Sequence, residues 1–103
     1  MTDFVMIYRG GDMPETPEEQ ERVMGEWTAW FETLGSAIKY PGNPLTPAAK
    51  QVAADGSVSD VMRDETGYTV ISANSIDEAL ALAKGCPLAG GATMTIHEAV
   101  GMT

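Results

Sequence analysis

A chain of 103 residues with 44% hydrophobic composition suffices for one domain, residues 1–103, around a single core, and is small for an enclosed ligand cavity without a second subunit. Its 15 acidic side chains outnumber 6 basic ones, and the formal charge of -9 repels a phosphate backbone or an anionic lipid surface, so nucleic acid and membrane partners are not expected. One cysteine supplies neither an internal disulfide nor a thiolate metal cluster, which fits a reducing compartment and leaves no metal or cofactor to expect.

The opening stretch, MTDFVMIYRGG, has an acid where a secretory leader carries basic residues, and no segment is apolar for the length of a spanning helix, so a cytoplasmic protein is expected. Residues Asp3 to Arg9 read as a strand ended by a glycine pair. Phe4, Met6 and Tyr8 lie on one face and Val5 and Ile7 on the other, so both faces are largely apolar and both should be covered.

Thr16, Pro17 and Glu19 make a capping box with proline at the first helical position, and Gly35 stands at a helix stop. Between them Val23, Trp27, Trp30 and Leu34 recur at three- and four-residue steps, with Met24 and Phe31 beside them. The middle of the chain holds Pro41, Pro44 and Pro47, and then Asp55-Gly56 between short alternating runs, the signal of a tight hairpin. A second strand is expected from about Tyr68 to Ala73, with few polar residues on either face.

Ser75 and Glu78 form another capping box, Ile76, Ala79, Leu80 and Ala83 make the expected buried stripe, and Gly85 and Pro87 stop that helix. In the last element Met94, Ile96 and Val100 oppose Thr93, Thr95 and His97, a strand with one apolar face.

Strand, helix, hairpin or strand pair, central strand, helix and strand form an α+β chain. The expected plan is ferredoxin-like, an antiparallel sheet with two helices on one face and the last strand beside the first. The other sheet face would then be bare and apolar. A second copy of the chain should cover it, so homodimerisation through sheet faces into an α/β barrel is expected.

The segment GYTVISANSIDEALALAKGCP, Gly67 to Pro87, resembles the YCII-related, or DGPF-domain, family, in which a Gly-Tyr strand runs into an Ala-rich helix ended by a Cys-Pro or His-Pro pair. The first strand ending in Tyr8-Arg9-Gly10 and the pair Trp27 and Trp30 also match a branch of it. The resemblance implies a dimeric α/β barrel, in a family whose members mostly have no assigned activity. Two features depart from it. The Asp-Gly-Pro-Phe motif is absent, with SVSDVMRDE in its place, and no histidine in the N-terminal half could pair with Asp60 or Asp64 in the His-Asp dyad proposed for some members.

Cys86 follows a helix C-terminus, where the dipole and free carbonyls oppose a thiolate, so it is expected to pack as a small apolar residue. His97 lies four residues beyond Thr93, some 13 Å along the strand at ~3.3 Å per residue, too far to act on Cys86. It stays a candidate contact for a ligand or a second subunit. If the first strand is antiparallel to the central and last ones, Tyr8, Arg9, Tyr68 and Thr93 converge at one sheet edge. Arg9 could anchor a carboxylate there, against the competing expectation of a salt bridge to Asp12, Asp64 or Glu65. Trp27 and Trp30 are core residues of which one could wall a pocket. The acids Glu15, Glu18, Glu19 and Glu21 suit a helix start and a solvated face, and the Arg-Gly-Gly run does not lead into a phosphate-binding helix.

Two functional expectations follow. One is a homodimeric small-molecule-binding domain without catalysis. The other is a cofactor-free enzyme acting on a small anionic or aromatic metabolite between the sheet and the first helix, with Arg9 anchoring, Tyr8 and Tyr68 donating hydrogen bonds, and Trp27 or Trp30 as a wall.

Overall fold

The computed structural model describes residues 1–11, 14–88 and 90–101 of the chain. In chain order the elements are β1 (Thr2–Arg9), α1 (Pro17–Leu34), a single 3-10 turn (Gly35–Ala37), β2 (Ile38–Tyr40), β3 (Ala48–Val52), β4 (Val58–Met62), β5 (Glu65–Ala73), α2 (Ile76–Ala83) and β6 (Thr93–Glu98). Strands β2, β5, β1 and β6 make a four-stranded sheet in that order. Every pairing in it is antiparallel, with β1 between β5 and β6. The fold is α+β, and its strand order is that of the ferredoxin-like plan with the last strand beside the first.

Local sequence explains where both helices begin. The Thr16 hydroxyl accepts from the Glu19 N–H at 3.1 Å, and Glu19 returns a carboxylate to the Glu15 N–H. At α2 the Ser75 hydroxyl accepts from the Glu78 N–H at 3.1 Å, and Glu78 reaches back to the Asn74 N–H. Each box satisfies donors that a helix start leaves without partners. Gly35, with φ of 54°, then ends α1, and its N–H meets the Phe31 carbonyl.

The core lies between the helices and one sheet face. Phe4, Met6 and Tyr8 of β1, Thr69, Ile71 and Ala73 of β5, Trp30 and Leu34 of α1 and Ala79 of α2 are buried. Trp30 joins the two helices, its Nε1–H donating to the Leu82 carbonyl at 3.1 Å. That contact and the small Ala79 turn the Ala79, Leu82 and Ala83 side of α2 inward. The expected stripe is corrected accordingly: Ile76 and Leu80 are exposed, at 44% and 42%.

Three further boundaries differ from the pattern reading. Strand β5 begins at Glu65, not near Tyr68, because β1 pairs with it as far as Arg9 opposite Glu65, across a bulge between Tyr8 and Arg9. Strand β6 ends at Glu98, which leaves Val100 outside the sheet and 78% exposed. The Asp55-Gly56 hairpin exists, yet its connection is wider than a two-residue turn. The Ala53 N–H bonds to the Ser57 carbonyl, Gly56 takes φ of 90°, and Asp55 Oδ1 accepts from the Ser57 N–H. Strands β3 and β4 form a separate two-stranded sheet, while the short β2 is the strand that pairs with β5.

The second sheet face carries Val5, Ile7 and Val70, all half-buried. The described chain measures 43 × 42 × 19 Å. With layers spaced by about 10 Å, a 19 Å thickness holds the helices and one sheet but no third layer. Nothing among the described residues covers that face, which is bare in the single chain as the two-helix plan expects. No helix among the described residues is long and apolar enough to cross a membrane.

The segment Pro41 to Pro44 is held against β5 by a bridge between Pro44 and Gly67 and by the Leu45 N–H to the Thr66 carbonyl at 2.9 Å. Gly42 has φ of 79°, and a Cβ there would overlap the Tyr68 carbonyl. Gly42→Ala is therefore expected to cost at least about 2 kcal/mol in urea unfolding. Gly25 lies inside α1 with open space around it, so Gly25→Ala is expected to add about 0.5–1 kcal/mol. Equal effects of the two substitutions would contradict this account of Gly42.

Candidate functional site

The helix-covered side of the sheet opens beside Tyr8 into a cavity of about 550 Å³. Its walls come from Val23, Met24, Trp27 and Phe31 of α1, from Tyr8 of β1 and Thr66 to Thr69 of β5, from the Pro41 to Pro44 segment, and from Pro14, Pro87 and Leu88. Helical spacing turns Val23, Trp27 and Phe31 onto one face of α1. Gly67 in β5 is what lets Pro44 and the Tyr8 ring approach: a Cβ there would meet the Asn43 carbonyl oxygen and Tyr8 Cδ2 at 3.3 Å.

The wall is aromatic. Trp27 packs edge-on against Tyr8, with ring centroids 5.1 Å apart and planes at 76°, and against Trp30 at 5.5 Å and 79°. Phe31 lies 5.9 Å from Trp27. Such edge-to-face pairs fix ring orientation and add about 0.5–1.5 kcal/mol each beyond the area they bury.

One hydrogen-bond chain crosses this wall. The Tyr8 hydroxyl donates to Thr69 Oγ1 at 2.6 Å, and Thr69 Oγ1 donates to the Pro41 carbonyl at 2.9 Å. Burial raises the Tyr8 phenol above its ordinary value, against the opposing effect of the Thr69 hydrogen bond, so the hydroxyl stays protonated at neutral pH. No Asp, Glu, Lys, Arg or His is among the described lining residues.

The expected site residues divide between two places. Tyr8 and Trp27 line the cavity with their rings; Tyr68 borders it in β5, but it stands opposite Ile7, so the pleat assigns its side chain to the other sheet face. Trp30 sits behind Trp27 in the core, 4% exposed, and lines nothing. Arg9 is absent from the cavity wall. Its NH1 bonds to Glu65 at 2.9 Å and to Asp64 at 3.2 Å, which is the competing salt-bridge expectation; Asp12, the third expected partner, lies outside the described residues.

The expected convergence of Tyr8, Arg9, Tyr68 and Thr93 therefore needs correction. The register is close to that expected, with Arg9 opposite Thr93 and Tyr8 opposite Gly67. The pleat then sends Tyr8 and Arg9 to opposite faces of the sheet. His97 pairs with Val5, so it belongs to the uncovered face, where its Nε2 lies 3.1 Å from Thr95 Oγ1. Cys86 packs against the core on the helix side, and burial pushes its thiol up to about 12. Cysteine and histidine thus stand on opposite sides of the sheet and form no nucleophilic pair.

Sequence reading missed Thr69 and the Pro41 to Pro44 segment. The first had a signal: two-residue alternation from Gly67 places Thr69 on the face of Tyr8. The second had none, because the bridge that docks the segment spans positions 44 and 67. Among the described residues no three His, Cys, Asp or Glu side chains converge as a metal site would need. No protein-family model matches the chain and no curated protein matches it as a relative, so the chemistry is read from its own residues.

The Arg9 cluster gives the uncovered face a pH-sensitive edge. Hydrogen bonds from Arg63, a backbone N–H and Arg9 hold the Glu65 carboxyl at about 2, below its ordinary 4.5. With the folded value below the unfolded one, this stabilisation is complete above about pH 5 and fades as the pH falls toward 2. In thermal melts across pH, Glu65→Gln should be less stable than the parent at pH 7, and the difference should close in acid. A difference that persists unchanged to pH 2 would exclude this linkage.

Proposed function

We propose that this chain is a homodimeric small-molecule-binding domain of the YCII-related kind, holding its ligand in the cavity between the sheet and α1. The observation that carries the reading is the half-open aromatic cavity itself, about 550 Å³ in volume and within the usual ~300–1,000 Å³ of ligand sites. The family part rests on the Gly67 to Pro87 stretch and the Trp27 and Trp30 helix. A cytoplasmic location belongs to the same reading and rests on the single free cysteine.

Binding is favoured over catalysis by the titratable groups nearby. Tyr8 and Cys86 are both kept protonated by burial, so neither serves as a base or nucleophile at neutral pH. The anionic substrate considered from sequence finds no cation in the wall, since Arg9 is committed to acids on the other face. A neutral ligand suits the cavity better.

Dimerisation is supported by the uncovered face. Val5, Ile7 and Val70 form its apolar middle. The Lys39 to Asp3 ion pair, with Ser72 on the same carboxylate, stands at one end, and Arg9, Arg63 and Glu65 stand at the other. Two copies related by a two-fold axis would bury the apolar middle and keep the charges at the rim, closing the two sheets into a barrel. His97 would border that interface.

Light scattering on a sizing column should give twice the 10.9 kDa chain mass at micromolar concentration. Ile7→Lys should give a monomer, since it sets two ammonium groups across the two-fold. A monomeric parent would refute the dimer. For the pocket, a thermal-shift panel of neutral aromatics and aromatic carboxylates separates the readings: a neutral compound should stabilise the parent, by about 2.7 kcal/mol at a hundred times its dissociation constant, and Trp27→Ala should lose the effect. Stabilisation by carboxylates alone, abolished by Arg9→Ala, would move the site to the opposite face.

A further inference from the structure

The hydrogen-bond chain in the cavity wall has only one possible direction. The Pro41 carbonyl has no proton to give, so the Thr69 hydroxyl donates to it and has only its oxygen left for Tyr8. Tyr8 must then spend its own proton on Thr69. What remains on Tyr8 Oη is acceptor capacity, and among the described residues no donor reaches it. All three members of the chain line the cavity.

The other polar side chains of the wall do not compete for this role. Gln20, Asn43 and Thr66 are exposed, where water satisfies them, and Tyr68 stands opposite Ile7, so its hydroxyl belongs to the other sheet face. Tyr8 is 8% exposed. A group placed against a buried acceptor either supplies a donor or leaves that acceptor without water, and the second case is penalised. Trp27 and Phe31 beside it offer flat apolar surface, and the wall offers no charge to a charged ligand.

We infer that the cavity selects uncharged aromatic molecules that carry a hydrogen-bond donor, phenols or indoles, with Tyr8 Oη accepting the donor and Trp27 and Phe31 holding the ring. This rests on the small-molecule-binding reading above and narrows it to one ligand class.

Isothermal titration with indole and benzofuran tests it, because the two have nearly the same shape and only indole donates. The parent should bind indole several-fold to about tenfold more tightly, the range of one net hydrogen bond. Tyr8→Phe, which keeps the ring against Trp27, should bind both equally. Thr69→Val, close in shape, frees the Tyr8 proton to be donated to a ligand, so the preference should vanish or reverse; a merely structural role for Thr69 would weaken both ligands alike. Circular dichroism identifies any variant that fails to fold, and each variant tests the selection separately. Equal binding of indole and benzofuran by the parent would overturn the donor selection while leaving the pocket in place. Indole-3-acetate binding as tightly as indole would overturn the restriction to uncharged ligands. Absence of binding by every aromatic, or binding unaffected in Trp27→Ala, would overturn the pocket itself.

Discussion

Strand β1 runs between β5 and β6, and its two-residue pleat decides which side chains of the molecule can meet. Phe4, Met6 and Tyr8 point toward the helices, and their neighbours across the ladder, Ile71, Thr69 and Gly67 on one side and Ile96 and Met94 on the other, point the same way. Val5, Ile7 and Arg9 take the opposite face with Val70, Thr95 and His97. A slip of one residue in either pairing would exchange the two sets, placing Arg9 among the core aromatics and Tyr8 in water. The buried Tyr8 to Thr69 bond, which joins positions 61 apart in sequence, guards against that slip. In the alternate register both hydroxyls would lose each other.

Local signals carried much of the fold. Both capping boxes, the proline start and Gly35 stop of α1 and the apolar face of β6 follow from short-range pattern, while the place of β6 beside β1 follows from the order of elements and the ferredoxin-like plan. Trp27 and Tyr8 were recognisable as pocket candidates, and Cys86 as a packed residue. What sequence could not supply was the third dimension of contacts that span long separations. The face of α2 is set by Trp30 reaching the Leu82 carbonyl, 52 positions away, and no hydropathy pattern within α2 reports it. The grouping of Arg9 with Tyr8 fails for a simpler reason: register brings the two to one sheet edge, but pleat parity sends neighbours in one strand to opposite faces.

The charge distribution follows the same partition. The cavity wall is neutral, while the ion pairs of Asp3, Lys39, Arg9, Arg63, Asp64 and Glu65 all border the uncovered face. Exposed pairs of this kind contribute little stability individually. Their value lies in arrangement: three of the chain's 6 basic side chains, Lys39, Arg9 and Arg63, are neutralised locally at the ends of an apolar strip, so the face presents paired charges and not a bare repulsive field, although the chain as a whole is strongly acidic. An apolar patch rimmed by paired charges gives the proposed self-association a single direction.

Ligand and partner would occupy opposite sides of one four-stranded sheet, sharing backbone but not side chains. Ile7 and Tyr8 are adjacent in sequence and point into different environments, one into the apolar strip and the other into the aromatic wall. A charge at Ile7 leaves the Tyr8 to Thr69 to Pro41 chain intact, and loss of the Tyr8 hydroxyl leaves the strip intact. Their effects should therefore add, as they do for residues without shared partners. Coupling between the two would require the strands themselves to move, and β1, held on both edges by ladders, is the element least free to do so.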